Sequence, residues 1–413
     1  MTDPAAAAAA VVAAHPPLHR NRDFMVLWTS QVVSTVGTRV SGIAYPLLVL
    51  AITRSPALAG IVAFAQTLPF LVLYLPAGAF VDHWNRRRIM LTCEVGRGLA
   101  LGSVAATTAA GIVSVPQLVI VAFVEGSLFV FFDLCEGAVL PRLVPAEQLS
   151  SAIAQNQART QGADLVGQPL GGALFGLGRA FPFAFDPLSY LVSFVALLSI
   201  RASLQDARTS VPGRLRTEIA EGLRTVWRQP FLRITIALAA VENFAWSALM
   251  LVLIVRAQDL GADPGQIGLM FGIMGAGAIA GAIVAPWIAS RVGTRALLVV
   301  INWLWAVQFA AVAVLPNVLA VGFVMGAGNV AGPISNVAVA KVFYQVTPDR
   351  LLGRARSVSK AVAWGATPVG SLAAGFLAAG LGAQFAIVAL AVVMVLVAAV
   401  ATLAKGLRYV SDQ

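Results

Sequence analysis

The 413-residue chain is poor in the residues from which catalytic and metal centres are usually built: it has only 2 cysteines and 3 histidines. Cys93 and Cys135 fall inside long apolar runs, which argues against a disulfide framework or a thiolate metal site. His15, His19 and His83 make no metal-ligand spacing. No Gly-x-x-x-x-Gly-Lys sequence is present to cradle a phosphate, which argues against an ATP-driven pump. No catalytic residue, cofactor or metal is therefore expected, and the chain does not read as an enzyme. Charge is scarce too: charged residues make up 11% of the chain against 59% hydrophobic, with a mean hydropathy of +0.85. Such a composition cannot be solvated as a soluble globule. The short alternating segments of a membrane β-barrel are also missing, since stretches such as 68–80 and 388–400 are unbroken apolar runs.

What is present is a series of apolar blocks, each near the roughly 20 residues that a helix needs to cross a bilayer core. They lie at 24–50, 58–80, 89–111, 115–140, 149–176, 182–200, 232–255, 267–290, 296–316, 318–342, 352–379 and 385–404. The expected fold is all-α, with about twelve transmembrane helices in two pseudo-symmetric six-helix bundles. Residues 1–20 are expected to be a disordered tail, because Asp3 replaces the basic leader of a signal peptide and His15-Pro16-Pro17 ends the alanine run. The two bundles span 21–201 and 232–405, joined by a linker at 202–231 and followed by a tail at 406–413. Within the linker, Ile219, Leu223, Val226 and Trp227 recur on one face of an expected amphipathic helix.

Basic residues segregate to one side of this arrangement. Arg20, Arg22, Arg86 to Arg88, Arg142, the series from Arg201 to Arg233, Arg291, Arg295, Arg350, Arg354, Lys405 and Arg408 share a side, and only Arg54, Arg179 and Arg256 lie opposite. Lys and Arg accumulate in cytoplasmic loops, so both termini are expected in the cytoplasm. The net charge of +10 then reflects contact with anionic lipid rather than with nucleic acid.

The halves repeat. A shift of 203 residues lays Pro145, Leu149, Ala152, Gly162, Ala163, Val166, Gly167, Gly172 and Leu174 over Pro348, Leu352, Ala355, Gly365, Ala366, Val369, Gly370, Gly375 and Leu377. A shift of 208 lays the turn at 82–87 over 290–295. Two parallel six-span repeats are the plan in which bundles rock about a site at the membrane midplane.

Residues 78–88 read Gly-Ala-Phe-Val-Asp-His-Trp-Asn-Arg-Arg-Arg. This resembles the loop signature of the major facilitator superfamily, with Asn85 where glycine is usual. Within that superfamily the chain most resembles the transmembrane secretion effector branch, which includes the enterobactin exporter and macrolide efflux carriers. The residues behind this are Asn21-Arg22-Asp23-Phe24, Leu140-Pro141-Arg142-Leu143-Val144-Pro145 and Asp186-Pro187-Leu188-Ser189-Tyr190-Leu191. The resemblance implies that Gly78, Asp82, Arg86 and Arg87 form a gating latch. Asp82 and Arg86 are four apart, so they meet if the turn is helical.

Ionisable groups inside spans are costly, and each is a functional candidate. At about 1.5 Å per residue, Arg39, Glu125, Asp164 and Glu242 fall near mid-depth and are the candidates for substrate or proton coupling; buried ion pairing is the alternative. Glu94, Arg97, Asp133 and Glu136 fall nearer the cytoplasm. Asp133 and Glu136 are expected to support the latch by neutralising Arg86, and Glu94 with Arg97 to form a pair three apart on one helix. Phe129, Phe131, Phe132, Phe244, Trp246 and Met250 are candidates to line an apolar pocket, with Tyr190, Trp303, Trp305 and Trp364 behind them. Gly272, Gly275, Gly277 and Gly281 permit tight helix crossing, and Gly326, Gly328, Gly332 and Pro333 mark a deformable segment.

The expected activity is secondary active transport by alternating access: proton-coupled export of a small amphipathic compound across the inner (plasma) membrane. An uptake symporter of the same fold is one alternative, and a non-transporting membrane receptor or scaffold another. The partners expected are a small-molecule substrate, the proton as coupling ion and membrane lipid, with no nucleic acid, and the chain is expected to be a monomer.

Overall fold

A computed structural model describes residues 17–202, 204, 215–347, 351–404 and 406–407. Among these, every regular element is helical. The elements are α1 (Arg22–Thr53), α2 (Pro56–Val72), α3 (Tyr74–His83), α4 (Arg86–Ala109), α5 (Val115–Leu143), α6 (Leu149–Leu177), α7 (Phe181–Ser199), α8 (Leu215–Arg228), α9 (Pro230–Asp259), α10 (Pro264–Arg291), α11 (Thr294–Val314), α12 (Val318–Asn329), α13 (Ala331–Val346), α14 (Leu352–Gly365), α15 (Thr367–Leu381) and α16 (Ala383–Leu403).

Ten of the rods are long and apolar enough to cross a bilayer, counting α12 with α13 and α14 with α15 as one rod each. The other two spans fall short for local reasons. The second is broken at Leu73 between α2 and α3. The fifth, α6, is unbroken but carries Gln155, Asn156, Gln157, Arg159, Gln161, Asp164 and Gln168, which lower its hydropathy. The segment expected to be deformable in the tenth span is where α12 ends and α13 begins, at Val330.

In the first half, α1 packs on α6 and α7, α4 on α5 and α7, and α2 on α5. In the second, α9 packs on α15 and α16, α10 on α12, and α11 on α16. The halves meet chiefly through two pairs, α6 with α10 and α2 with α15, with smaller contacts of α2 with α14 and of α9 with α1 and α2. Here the repeat seen in sequence becomes geometry. A Cβ on Gly172 of α6 would collide with the Pro264 carbonyl and lie 2.9 Å from Gly268 Cα, at the start of α10. A Cβ on Gly375 of α15 would lie 2.6 Å from the Pro56 carbonyl and 2.8 Å from Gly60 Cα, at the start of α2. Gly172 and Gly375 are 203 apart, and both Pro56 with Pro264 and Gly60 with Gly268 are 208 apart, so each half repeats the other's contact. Backbones approach this closely only where side chains are absent. The eighth-span glycines serve the same end: Gly272 and Gly275 face Pro169 and Leu165 of α6, and Gly277 and Gly281 face Gly326 and Val330 of the tenth span.

The N-terminal segment is more ordered than expected where it is described. Leu18–Arg20 form a 3-10 turn with Leu18 buried, while residues 1–16 of the expected tail lie outside the described residues. Leu407 is buried against the second half, and 408–413 lie outside them. In the linker, 205–214 lie outside them as well. On α8, Val226 is buried against the second half while Leu223 and Trp227 stay exposed.

Candidate functional site

A cavity of about 500 Å³ lies between the two halves. Its walls differ in character. The first half contributes Thr38, Arg39, Gln66, Glu125 and Gln168, with Tyr45, Phe70 and Phe129 between them. The second half contributes Trp246, Met250, Ile254, Phe271 and Trp364, with only the neutral polar groups Asn243, Ser247, Thr367 and Ser371. Among the described lining residues, charge belongs to the first half alone. At the end remote from the chain termini, the glycine contacts of α6 with α10 and of α2 with α15 close the space between the halves.

Four of the expected pocket or aromatic residues line this cavity: Phe129, Trp246, Met250 and Trp364. Phe132 is instead buried within the first half and Phe131 packs beside it. Phe244 turns its backbone to Gly370, and Trp303 is 41% exposed on the outer surface. Trp305 stands behind the wall, edge-on to Trp246 at 6.0 Å, with Phe309 at 5.4 Å from the same ring.

Two of the four coupling candidates, Arg39 and Glu125, line the cavity. Arg39 is paired with the third, since its Nε lies 2.7 Å from Asp164 Oδ1 across the α1–α6 contact. Gly167 makes this approach possible, because a Cβ there would meet the Arg39 side chain at 2.5 Å. Glu242 is away from them in the second half, where its hydrogen-bond partner is Asn302 of α11.

The pairing expected between Glu94 and Arg97 does not form. Arg97 Nη2 lies 3.3 Å from Glu125 Oε1, and Gln66 Nε2 donates to the other Glu125 oxygen at 3.2 Å. The guanidinium also donates to Thr38 Oγ1 at 3.0 Å and stacks 4.2 Å from the centre of the Tyr190 ring. Arg97 therefore sits at the depth of Glu125, not nearer the cytoplasm. Three apart on a helix allows contact, but Arg97 points across to α5, α1 and α7 instead. Glu94 takes a hydrogen bond from Ser193, whose hydroxyl in turn accepts from Gln31 at 2.7 Å.

Behind Arg97 is a buried acid that the count of intramembrane charges left out. Asp186 of α7 is fully buried and surrounded by hydroxyls: Ser41, Ser189 at 3.0 Å and Tyr190 at 3.1 Å donate to its carboxyl group. Gly37 leaves room for it, since a Cβ there would collide with Ser189 Oγ and Asp186 Oδ1. The signal was available, because Asp186 lies inside an apolar run and acids there are rare.

At the loop between the second and third spans, α3 ends at His83 and α4 starts at Arg86, with Trp84 and Asn85 extended between them. The turn is not helical, so the four-residue spacing of Asp82 and Arg86 does not place them on one helix face. The side chain of Asp82 lies outside the described residues. Asn85 has a local reason to replace glycine: its side chain caps α4 by accepting from the Arg88 N–H at 3.0 Å. Arg86 is buried and reaches the Ala138 carbonyl at 3.4 Å, and Arg87 donates to the Leu198 carbonyl at 2.6 Å. Gly78 is half-buried on α3 with open space beside its Cα. Glu136 takes Arg159 of α6 at 2.6 Å, and Asp133 takes the Tyr74 hydroxyl, to which Lys360 of α14 donates at 3.4 Å. Asp133 and Glu136 are thus engaged by groups of α3 and α6.

The motif at the start of α1 ties helix ends together. Asn21 accepts from the Phe24 N–H and donates to the Leu143 carbonyl at 2.6 Å, and Asp23 accepts from the N–H groups of Arg201 and Ala202. The ends of α1, α5 and α7 are thereby joined.

Comparison with known proteins places this arrangement. Residues 12–412 match the family described as transmembrane secretion effector. The chain is 27% identical over 382 residues to the multidrug efflux pump Tap of Mycolicibacterium fortuitum, covering 90% of this chain and 93% of that protein. It is 28% identical over 388 residues to Tap of Mycobacterium tuberculosis (strain ATCC 25618 / H37Rv), covering 91% and 92%. Among solved structures it resembles a bacterial homologue of the human lysosomal transporter Spinster, in an inward-facing and occupied conformation, with a TM-score of 0.73 at 15% identity over 95% of this chain and 98% of that one. A mutant of the nucleoside transporter NupG gives a TM-score of 0.74 at 12% identity over 93% and 100%. At these identities the two structures establish the fold, that of major facilitator transporters.

Proposed function

The chain belongs to the transmembrane secretion effector family of major facilitator transporters, and from that premise we propose that it exports a small amphipathic compound in exchange for protons by alternating access. The observation that carries this reading is the two-sided cavity. Aromatic and aliphatic groups from the second half suit an apolar body, and ionisable groups from the first half suit a polar or charged end. Export of an amphipathic compound also agrees with the efflux named for the Tap relatives.

Both termini are cytoplasmic in this reading, which follows from the segregation of basic residues. The closed glycine contacts then lie at the outer face, and substrate loads from the cytoplasm. The coupling acids are those of the first half, Glu125 facing the cavity and Asp164 held by Arg39, because a proton taken up there changes the charge that a substrate meets. Glu242, which is not among the residues lining the cavity, is assigned no part in substrate contact. Gly78, Asp82, Arg86 and Arg87 serve as the latch at the cytoplasmic ends of the helices.

Counterflow of candidate amphipathic compounds in proteoliposomes, with and without an imposed pH gradient, tests the proposal. Gradient-stimulated flux is expected in the wild type, with exchange surviving when the gradient is removed. Binding without any flux would favour a receptor. Full gradient-driven flux in each of Glu125→Gln, Asp164→Asn and Glu242→Gln would show that the carboxylates are structural and end the proton-coupled reading.

A further inference from the structure

The core of the first half holds more acids than bases. Glu94, Glu125 and Asp186 are each 2% exposed or less, and the cation set among them is Arg97, itself 2% exposed. Arg97 is engaged by Glu125. Among the described residues, the other charged group facing the cluster is Glu136, which is occupied by Arg159, and the Cys93 thiol of α4 faces Glu94 and Arg97. From α1 the cluster meets only the neutral groups Gln31, Thr38, Ser41 and Tyr45. Three ionised carboxylates around one guanidinium would leave two unbalanced negative charges out of contact with water, which costs several kcal/mol for each ion. The cluster therefore holds protons.

The two acids not paired with Arg97 differ in how they are built. Glu94 has an oxygen, Oε2, that is buried with no hydrogen-bond partner. With one hydroxyl donating to its other oxygen, Glu94 lacks the shell of donors that surrounds Asp186. Asp186 is surrounded by hydroxyls that each have a second acceptor within reach. Ser41 has the Thr38 carbonyl at 3.2 Å, Ser189 the Asp186 carbonyl at 2.7 Å, and Tyr190 the Thr38 hydroxyl at 3.3 Å. A hydroxyl donates one hydrogen and accepts as well. The same shell thus serves the ionised carboxylate, with its hydrogens turned inward, and the protonated carboxyl, with them turned to the second acceptors. Tyr190 and Thr38 join it to Arg97 and so to Glu125 at the cavity.

We propose that Asp186 is a proton-binding site of the transport cycle, closed off from the cavity and coupled to Glu125 through the guanidinium of Arg97. In the state where Glu125 is ionised and engages Arg97, Asp186 holds a proton. When a proton or a cationic group of the substrate neutralises Glu125, Arg97 supports an ionised Asp186 and the proton is released from it. The role in the cycle rests on the proton-coupled reading above, while the protonation itself is measurable without transport.

Infrared difference spectroscopy of the purified full-length chain under a pH change, with aspartate carrying 13C at its carboxyl carbon, reads the site directly. The expected result is a protonated-carboxyl band, shifted by the label, that is present in the wild type at neutral pH, declines at alkaline pH and is lost in Asp186→Asn. In Glu125→Gln the same band should weaken at fixed neutral pH, because Arg97 is released to Asp186. Tyr190→Phe keeps the ring beside Arg97 and removes one hydrogen bond, so it should change the frequency of the band; this variant carries the test should Asp186→Asn not fold. A labelled band that survives Asp186→Asn, ignores Glu125→Gln, or keeps its frequency in Tyr190→Phe overturns the assignment. A wild type whose flux ignores a pH gradient overturns the proton-coupled reading instead, and is a separate measurement.

Discussion

Arg97 of α4 and Glu125 of α5 face each other at 3.3 Å with both side chains 3% exposed, Glu125 in the wall of the central cavity and Arg97 one step behind it. A buried pair of this kind is costly to break from one side, since the remaining charge is left without a partner. Arg97→Ala should therefore destabilise the protein by about 3–5 kcal/mol, whereas Glu125→Gln should cost less, because Thr38 and the Tyr190 ring still hold the guanidinium. Thermal unfolding in detergent measures both. Combining the two substitutions should recover part of the loss, and equal effects of the two single variants would show that the pair is not an energetic unit.

The closure of the halves depends on bare backbone at Gly172. A leucine there would meet the Pro264 carbonyl and Gly268, so Gly172→Leu should hold that end apart. Substrate flux should fall to background, and a cysteine placed at the cavity residue Ser247 should become reactive to an impermeant thiol reagent added outside cells. Unaltered reactivity would place the closed end elsewhere.

Trp246 gives its ring both to the cavity and to edge contacts with Trp305 and Phe309. Aromatic contacts of this sort are worth about 0.5–1.5 kcal/mol beyond area. Trp246→Ala should raise the KM for an aromatic substrate roughly three- to ten-fold, following that energy, and change the maximal rate less. A KM that does not move would remove Trp246 from the substrate wall.

Asp82→Asn should slow transport while leaving membrane insertion and ligand binding largely intact, because the latch belongs to the conformational change and not to the cavity. Flux assays beside a binding measurement separate the two. Normal flux would leave the loop with a topological role alone.

Orientation is open to direct labelling. Single cysteines at Arg88 or Gly213 should escape an impermeant reagent applied to intact cells and react once the membrane is opened. Labelling from outside would invert the assignment of the termini.

The sequence by itself determined the apolar spans and the duplicated plan. Apolar runs fix where a chain can cross lipid, because an unpaired backbone group has no partner there; the glycines at 172 and 375 were visible as repeated positions, and the structure made them contacts between the halves. The motif residues Asn21, Asp23 and Asn85 were visible as well, since caps and turns are local. Tertiary structure alone decided the pairings of buried charge. Spacing along one helix offered Glu94 to Arg97, and spacing across a turn offered Asp82 to Arg86. The first is set aside because the rotation of α4 aims Arg97 at α5; for the second, the extended backbone at Trp84 and Asn85 means that one shared helix face does not bring the two residues together. Asp186 was readable as an acid in an apolar run, but its tie to Glu125 runs through Tyr190, Thr38 and Arg97 on three helices. Sequence periodicity describes one helix at a time, whereas the partner of a buried charge is set by how neighbouring helices are rotated and how closely their glycines let them approach.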